Sequence, residues 1–197
     1  MSEISLTRLA DDVAAILGEA LSRDCHPEES PFPDFEDRVR ILAPHLLAEL
    51  IRASPDSALL QPVALTAECA INENGMATIP LPDDFLRLVA VKMSDWEKPA
   101  TRLLTPYEPL FSRQFCEWAG IRGNQQRPVA VETFDVAAGG SGAKPRRVMQ
   151  LFSSEKDAKP EYVLYLPVPQ FHDDKMEIPD IFYGQLVISL AEKINSE

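Results

Sequence analysis

Cysteine is scarce in this 197-residue chain, and Cys25, Cys69 and Cys116 lie far apart and are odd in number. No CxxC pair occurs, which excludes a zinc knuckle or a thioredoxin-type redox motif. Positive charge is also short: 19 Lys and Arg stand against 31 Asp and Glu, a formal net charge of −12. That balance argues against general nucleic-acid binding over the whole surface. No apolar run approaches the ~18 residues of a membrane span. The start, Met1-Ser2-Glu3-Ile4, lacks the basic region and apolar stretch of a secretory signal. These absences lead us to expect a protein made and kept in a reducing cytoplasm, with no membrane partner.

What is present points to a globular chain, 45% hydrophobic and 25% charged. Seventeen prolines are spread along it, punctuating many short elements. Charge is unevenly placed. Residues 1–60 hold twelve acids and five bases, whereas residues 121–197 hold eleven acids and nine bases. Arg122, Arg127, Lys144, Arg146 and Arg147 make a locally basic segment, the candidate partner- or DNA-facing residues of this chain. Opposite charge on two parts of one protein is compatible with self-association. On charge alone, a solvated, unevenly charged surface is the simpler account.

Helical periodicity marks both ends. Leu6, Leu9, Val13, Ile16, Leu17 and Ala20 recur at steps of three and four, predicting a helix over 4–21. Residues 24–34 break the pattern with Pro27, Pro31 and Pro33 among four acids, as a linker or extended arm would. Asp34 is placed to cap a second helix whose stripe is Phe35, Val39, Leu42, Leu46, Leu50 and Ile51. Pro44 inside that stripe predicts a kink, or two helices meeting. A last helix starts near Pro179-Asp180 and runs to about Ile194, with Ile181, Phe182, Leu186, Val187, Leu190 and Ile194 as its stripe.

Between these ends the period changes to that of strands. Asn72-Glu73-Asn74-Gly75 is a turn between residues 67–71 and 76–79, predicting a β-hairpin. Strands are expected near 86–93, 128–136, 148–152 and 162–166. A short helix over 105–118, opened by Thr105-Pro106, places Leu110, Phe111, Phe115 and Trp118 on one face. Pro80-Leu81-Pro82 and Pro167-Val168-Pro169 each close a strand edge, because proline removes a ladder donor and fixes φ. Gly139-Gly140-Ser141-Gly142 reads as a hairpin tip, since no helix or Lys-[Ser/Thr] follows to make a phosphate loop. The expected fold is α+β, a single domain over 1–197. Its terminal helices (1–60 and 178–197) pack as a small layer, with an inserted lobe of short antiparallel strands over 61–177.

No constellation of residues carries chemistry. His172-Asp173-Asp174 is the densest group of ligand types, but one tripeptide does not make a metal site and polar residues there suit a turn. Cys116 sits among Phe111, Phe115 and Trp118, where a cysteine is most often a small core residue. We therefore expect no enzyme activity, no cofactor, no metal and no small-molecule substrate.

The order of features resembles the head–tail connector proteins of tailed bacteriophages, also called adaptor or neck proteins. The likeness begins with two amphipathic N-terminal helices, the second carrying Ile41-Leu42-Ala43-Pro44-His45-Leu46-Leu47. It continues from the Asn74-Gly75 turn through Ala77-Thr78-Ile79-Pro80-Leu81-Pro82-Asp83-Asp84-Phe85-Leu86-Arg87-Leu88, then Trp96. It closes with Leu166-Pro167-Val168-Pro169 and a proline-started C-terminal helix. The acidic linker at 24–34 and the glycine-rich stretch near 140 have no counterpart in that pattern. The resemblance implies a virion protein assembled in a bacterial cytoplasm, a homo-oligomeric ring seated on the portal. Its partners would be portal and tail proteins, with DNA near only because it passes through the lumen. A cytoplasmic bacterial adaptor or chaperone-like module is the alternative, and a small enzyme with a scattered site is the third reading. Stoichiometry separates the first two, and a deep pocket with convergent polar groups would mark the third.

Overall fold

Capping side chains and prolines decide where the elements of this chain begin and end. The computed structural model describes residues 2–18, 34–55, 61–66, 68–73, 75–116, 118, 121–135, 145–152 and 154–196. In chain order these hold β1 (Ser2–Ser5), α1 (Leu6–Leu17), α2 (Phe35–Ala53), β2 (Val63–Ala64), β3 (Ala70–Ile71), β4 (Ala77–Pro80) and β5 (Phe85–Met93). There follow β6 (Leu103–Leu104), α3 (Pro109–Gln114), β7 (Ala130–Asp135), β8 (Arg146–Leu151), β9 (Pro160–Pro167), β10 (Lys175–Ile178) and α4 (Asp180–Asn195). The fold is α+β, and the chain divides into two compact units, Met1–Gln61 with Val168–Glu197, and Pro62–Pro167.

The first unit joins the chain ends. Helices α1, α2 and α4 pack on one another, burying Leu9, Val13, Val39, Leu47, Leu186 and Leu190. Ser5 starts α1 by accepting from the Arg8 amide at 3.3 Å, and Gly18, at φ +70°, ends it in the left-handed conformation that glycine adopts without strain. The expected first helix starts two residues later than read, because residues 2–5 are a strand. There β1 pairs antiparallel with β10, Ile4 opposite Met176. Period-two alternation buries Ile4, Met176 and Ile178 beneath that ribbon. Residues 19–33 of the expected helix end and linker lie outside the described residues.

Asp34 caps α2 as its sequence context predicts, its carboxylate accepting from the Phe35 amide at 2.7 Å. Of the two expectations at Pro44, two separate helices are not seen, since α2 is one element from Phe35 to Ala53. Pro44 cannot donate to the Arg40 carbonyl, but the buried stripe on either side of it holds the helix together. That stripe is Val39, Ala43, Leu47, Ala48 and Ile51 rather than the expected Leu42, Leu46 and Leu50, which are half-buried flanks. His172-Asp173-Asp174 is a tight turn: Asp173 and Asp174 have φ of 49° and 60°, and His172 exchanges backbone hydrogen bonds with Lys175. The Asp174 carbonyl receives the Leu6 amide at 2.7 Å, and its carboxylate pairs with Arg40 at 2.7 Å.

The second unit is built from two sheets, β2-β9-β5 and β3-β4-β8-β7-β6. Every pairing is antiparallel except β6 with β7. Side chains from both sheets meet in one core that includes Ile79, Leu88, Val91, Met149, Leu151 and Val163. The expected hairpin is present, with Ile71 opposite Ala77 and Gly75 at φ +71°. A side chain at Gly75 would stand 2.8 Å from the Ser154 carbonyl oxygen. Strands β4 and β9 end on Pro80 and Pro167, the first prolines of the two Pro-x-Pro stretches. Strands β8 and β9, neighbours in sequence, belong to different sheets.

Candidate interaction surface

Among the described residues the arginines of the basic segment stand in different settings. Arg122 donates through Nε to the Cys116 carbonyl, which ties it to the backbone leaving α3. Arg127 sits in a turn whose Asn124 side chain accepts from the Gln126 and Arg127 amides at 3.0 and 2.9 Å. Arg146 is exposed at the start of β8, opposite Asp135. Alternation turns Arg147 to the other face of the strand. Its guanidinium contacts Glu132 at 2.7 and 2.9 Å, donates to the Phe85 carbonyl at 3.2 Å and lies over the Phe85 ring. Phe85 in turn stacks on Tyr165. Arg147 therefore ties β8 to β7 and β5, with its charge matched inside the unit. Lys144 and the 139–142 glycine stretch lie outside the described residues.

The segment around α3, expected to carry Leu110, Phe111, Phe115 and Trp118 on one face, is more informative. The expected helix over 105–118 is short: α3 begins with Pro109 at its first position and stops at Gln114. Thr105 and Glu108 close the turn before it, the Glu108 side chain accepting from the Thr105 amide at 3.0 Å. Gln114 is the buried residue of α3. Its side chain donates to the Leu110 carbonyl and accepts from the Gly123 amide at 2.8 Å, stapling the returning chain to the helix. Gly123 is needed at that contact, since a Cβ there would meet Val129 at 2.8 Å. Gln125 and Gln126 then hydrogen-bond to Asp95 and Glu97.

This framework presents aromatic side chains to solvent. Phe111 packs against the small core of Leu104, Val131 and Phe152, and Phe115 lies between Phe111 and Phe152 at 5.1 and 5.6 Å. Tyr107 is 97% exposed, Trp118 73% and Phe115 51%, with Leu110 and Ile121 also well exposed. Large apolar side chains left exposed so close together in sequence make this stretch a candidate contact surface. Tyrosine and tryptophan are the residues that most often carry binding energy in such contacts.

The first unit has a polar cleft of about 480 Å³ against the β1–β10 ribbon, walled by Arg8, Asp180 and Tyr183. Arg8 lies over the Tyr183 ring, and the Tyr183 hydroxyl donates to Asp12. Burial first, and then the Asp12 carboxylate, push the Tyr183 phenol up to about 12. The Ser2 hydroxyl donates to Asp180 at 2.7 Å and holds that carboxyl below its ordinary range. Nothing in the sequence pattern pointed to this group, whose members come from opposite ends of the chain. Its hydroxyls and carboxylates are hydrogen-bonded in the manner of a structural network.

Among the described residues no three His, Cys, Asp or Glu side chains gather as a metal site, and no helix is long and apolar enough to cross a membrane. Searches against protein-family models and curated protein sequences return no match.

Proposed function

We propose that this chain is a structural assembly protein of the head–tail connector class, acting through protein surfaces and forming a ring on a portal. The aromatic strip of residues 107–121 carries the assembly part of this reading. It holds Tyr107, Phe115 and Trp118 in solvent, with hydrogen bonds closing the turn before α3 and tying Gln114 to Gly123. A preorganised surface of that kind loses little entropy on docking. The connector class itself rests on the order of sequence features, from the paired N-terminal helices through the Pro-x-Pro strand ends to the C-terminal helix. In this reading Arg127 and Arg146 are the exposed basic residues of the segment, open to a partner or to DNA, while Arg147 maintains the strands that carry Arg146.

The test is native mass measurement of the chain alone and with the portal protein of the genome that encodes it. A multi-copy complex on the portal ring is the expected result. Nothing larger than a dimer under both conditions would exclude the ring and leave the cytoplasmic adaptor reading in its place.

A further inference from the structure

Resting on the assembly reading, we infer that the aromatic strip receives residues 24–34 of a second copy of this chain. The strip lies in one of the locally basic stretches of an acidic chain. Residues 102–127 hold four arginines, Arg102, Arg113, Arg122 and Arg127, against two glutamates, a local net charge of +2 in a chain of −12. Arg102 pairs with Glu108, whereas Arg113 and Arg127 are exposed on either side of Trp118 in sequence.

Residues 24–34 have the complementary chemistry. They carry Asp24, Glu28, Glu29 and Asp34, no Lys or Arg, and the run Pro31-Phe32-Pro33. Proline-rich segments dock on exposed aromatic side chains because their extended form is already restricted and little further entropy is lost. Tyr107 and Trp118 offer rings for the prolines and Phe32, and the arginines offer charge-assisted partners for the carboxylates. Because every copy carries both halves, docking from copy to copy is heterologous and repeats, the arrangement from which closed rings are made.

A fluorescent peptide of residues 24–34, titrated against the full chain carrying Phe32→Ala, tests this by anisotropy. The expected result is binding that weakens with salt and falls at least tenfold when Trp118→Ala is added. Mixing a Trp118→Ala chain with a Phe32→Ala chain should give heterodimers that grow no further, since each retains one half. Equal peptide binding with and without Trp118, or no binding, overturns the inference. So does binding to the Phe32→Ala chain with none to wild type at any peptide concentration, which would place the segment on its own chain. Peptide binding does not depend on ring formation. A chain that binds the peptide but never assembles on a portal keeps this inference and loses the connector reading. Assembly that persists without Trp118 does the reverse.

Discussion

The helical unit and the 105–127 segment of the β unit treat large apolar side chains in opposite ways. In the helical unit Leu9, Leu47, Leu186 and Leu190 are fully enclosed by side chains contributed from both ends of the chain. In the 105–127 segment Tyr107 and Trp118 stand in water, although Gln114, Gly123 and Arg122 hold the surrounding backbone in a defined path. The difference separates two uses of apolar surface. One stabilises this chain, and the other adds little to its stability and is available to something else.

The largest expected effect lies in the enclosed set. Leu47→Ala should lower unfolding free energy by about 2–5 kcal/mol, and the half-buried Leu46→Ala by clearly less. Urea melts of the two variants measure this, and equal losses would mean that α2 presents a different face. Next comes Gly123→Ala, which forces Val129 aside and should cost about 1–3 kcal/mol. Trp118 fluorescence, as a local probe, should report the change in the segment first.

Arginines at neighbouring positions sharpen the comparison. Arg147→Ala removes the Glu132 contacts and the Phe85 carbonyl bond, and should cost about 1 kcal/mol, since the pair is partly open to solvent. Arg146→Ala should change stability by less than about 0.5 kcal/mol and act on assembly instead. A charge reversal meant to probe assembly therefore belongs at Arg146 rather than at Arg147.

The Tyr183 phenol gives a pH signature confined to the helical unit. Its folded pKa of about 12 stands above the ordinary 10. The folded state therefore holds the proton more tightly, and the stabilisation is fully present below pH 10 and lost as pH rises through 12. Tyr183→Phe should flatten the stability profile between those values. An unchanged slope would remove Tyr183 from the account.

The helix stripes at Leu6–Val13 and Leu186–Ile194 were legible because apolar residues recur there with a period that few other structures produce. In α2 Val39 and Ile51 lie on the expected face, but Ala43 and Leu47 take the places expected of Leu42 and Leu46. Leu46 and Leu47 are adjacent, and the small Ala43 and Ala48 that complete the true face carry little hydrophobic signal. The Pro-x-Pro strand ends at Pro80 and Pro167 were legible because proline acts locally. The β1–β10 ribbon was not, since each strand is four residues long and its partner lies at the other end of the chain. The apolar face expected over 105–118 left its exposure open for a physical reason. Periodicity shows that a face is apolar, but it does not tell a face covered by its own core from one left uncovered. His172-Asp173-Asp174 was rightly taken as a turn, since Asp tolerates positive φ.

The smallest expected effect on stability is also the most direct test of the central claim. Tyr107→Ala with Trp118→Ala should melt within about 0.5 kcal/mol of wild type, as exposed substitutions do. Sedimentation of wild type and this double variant with the portal ring then decides the matter. The account predicts a multi-copy complex for wild type, and a variant that stays unassembled while fully folded. Identical assembly by both proteins would contradict it.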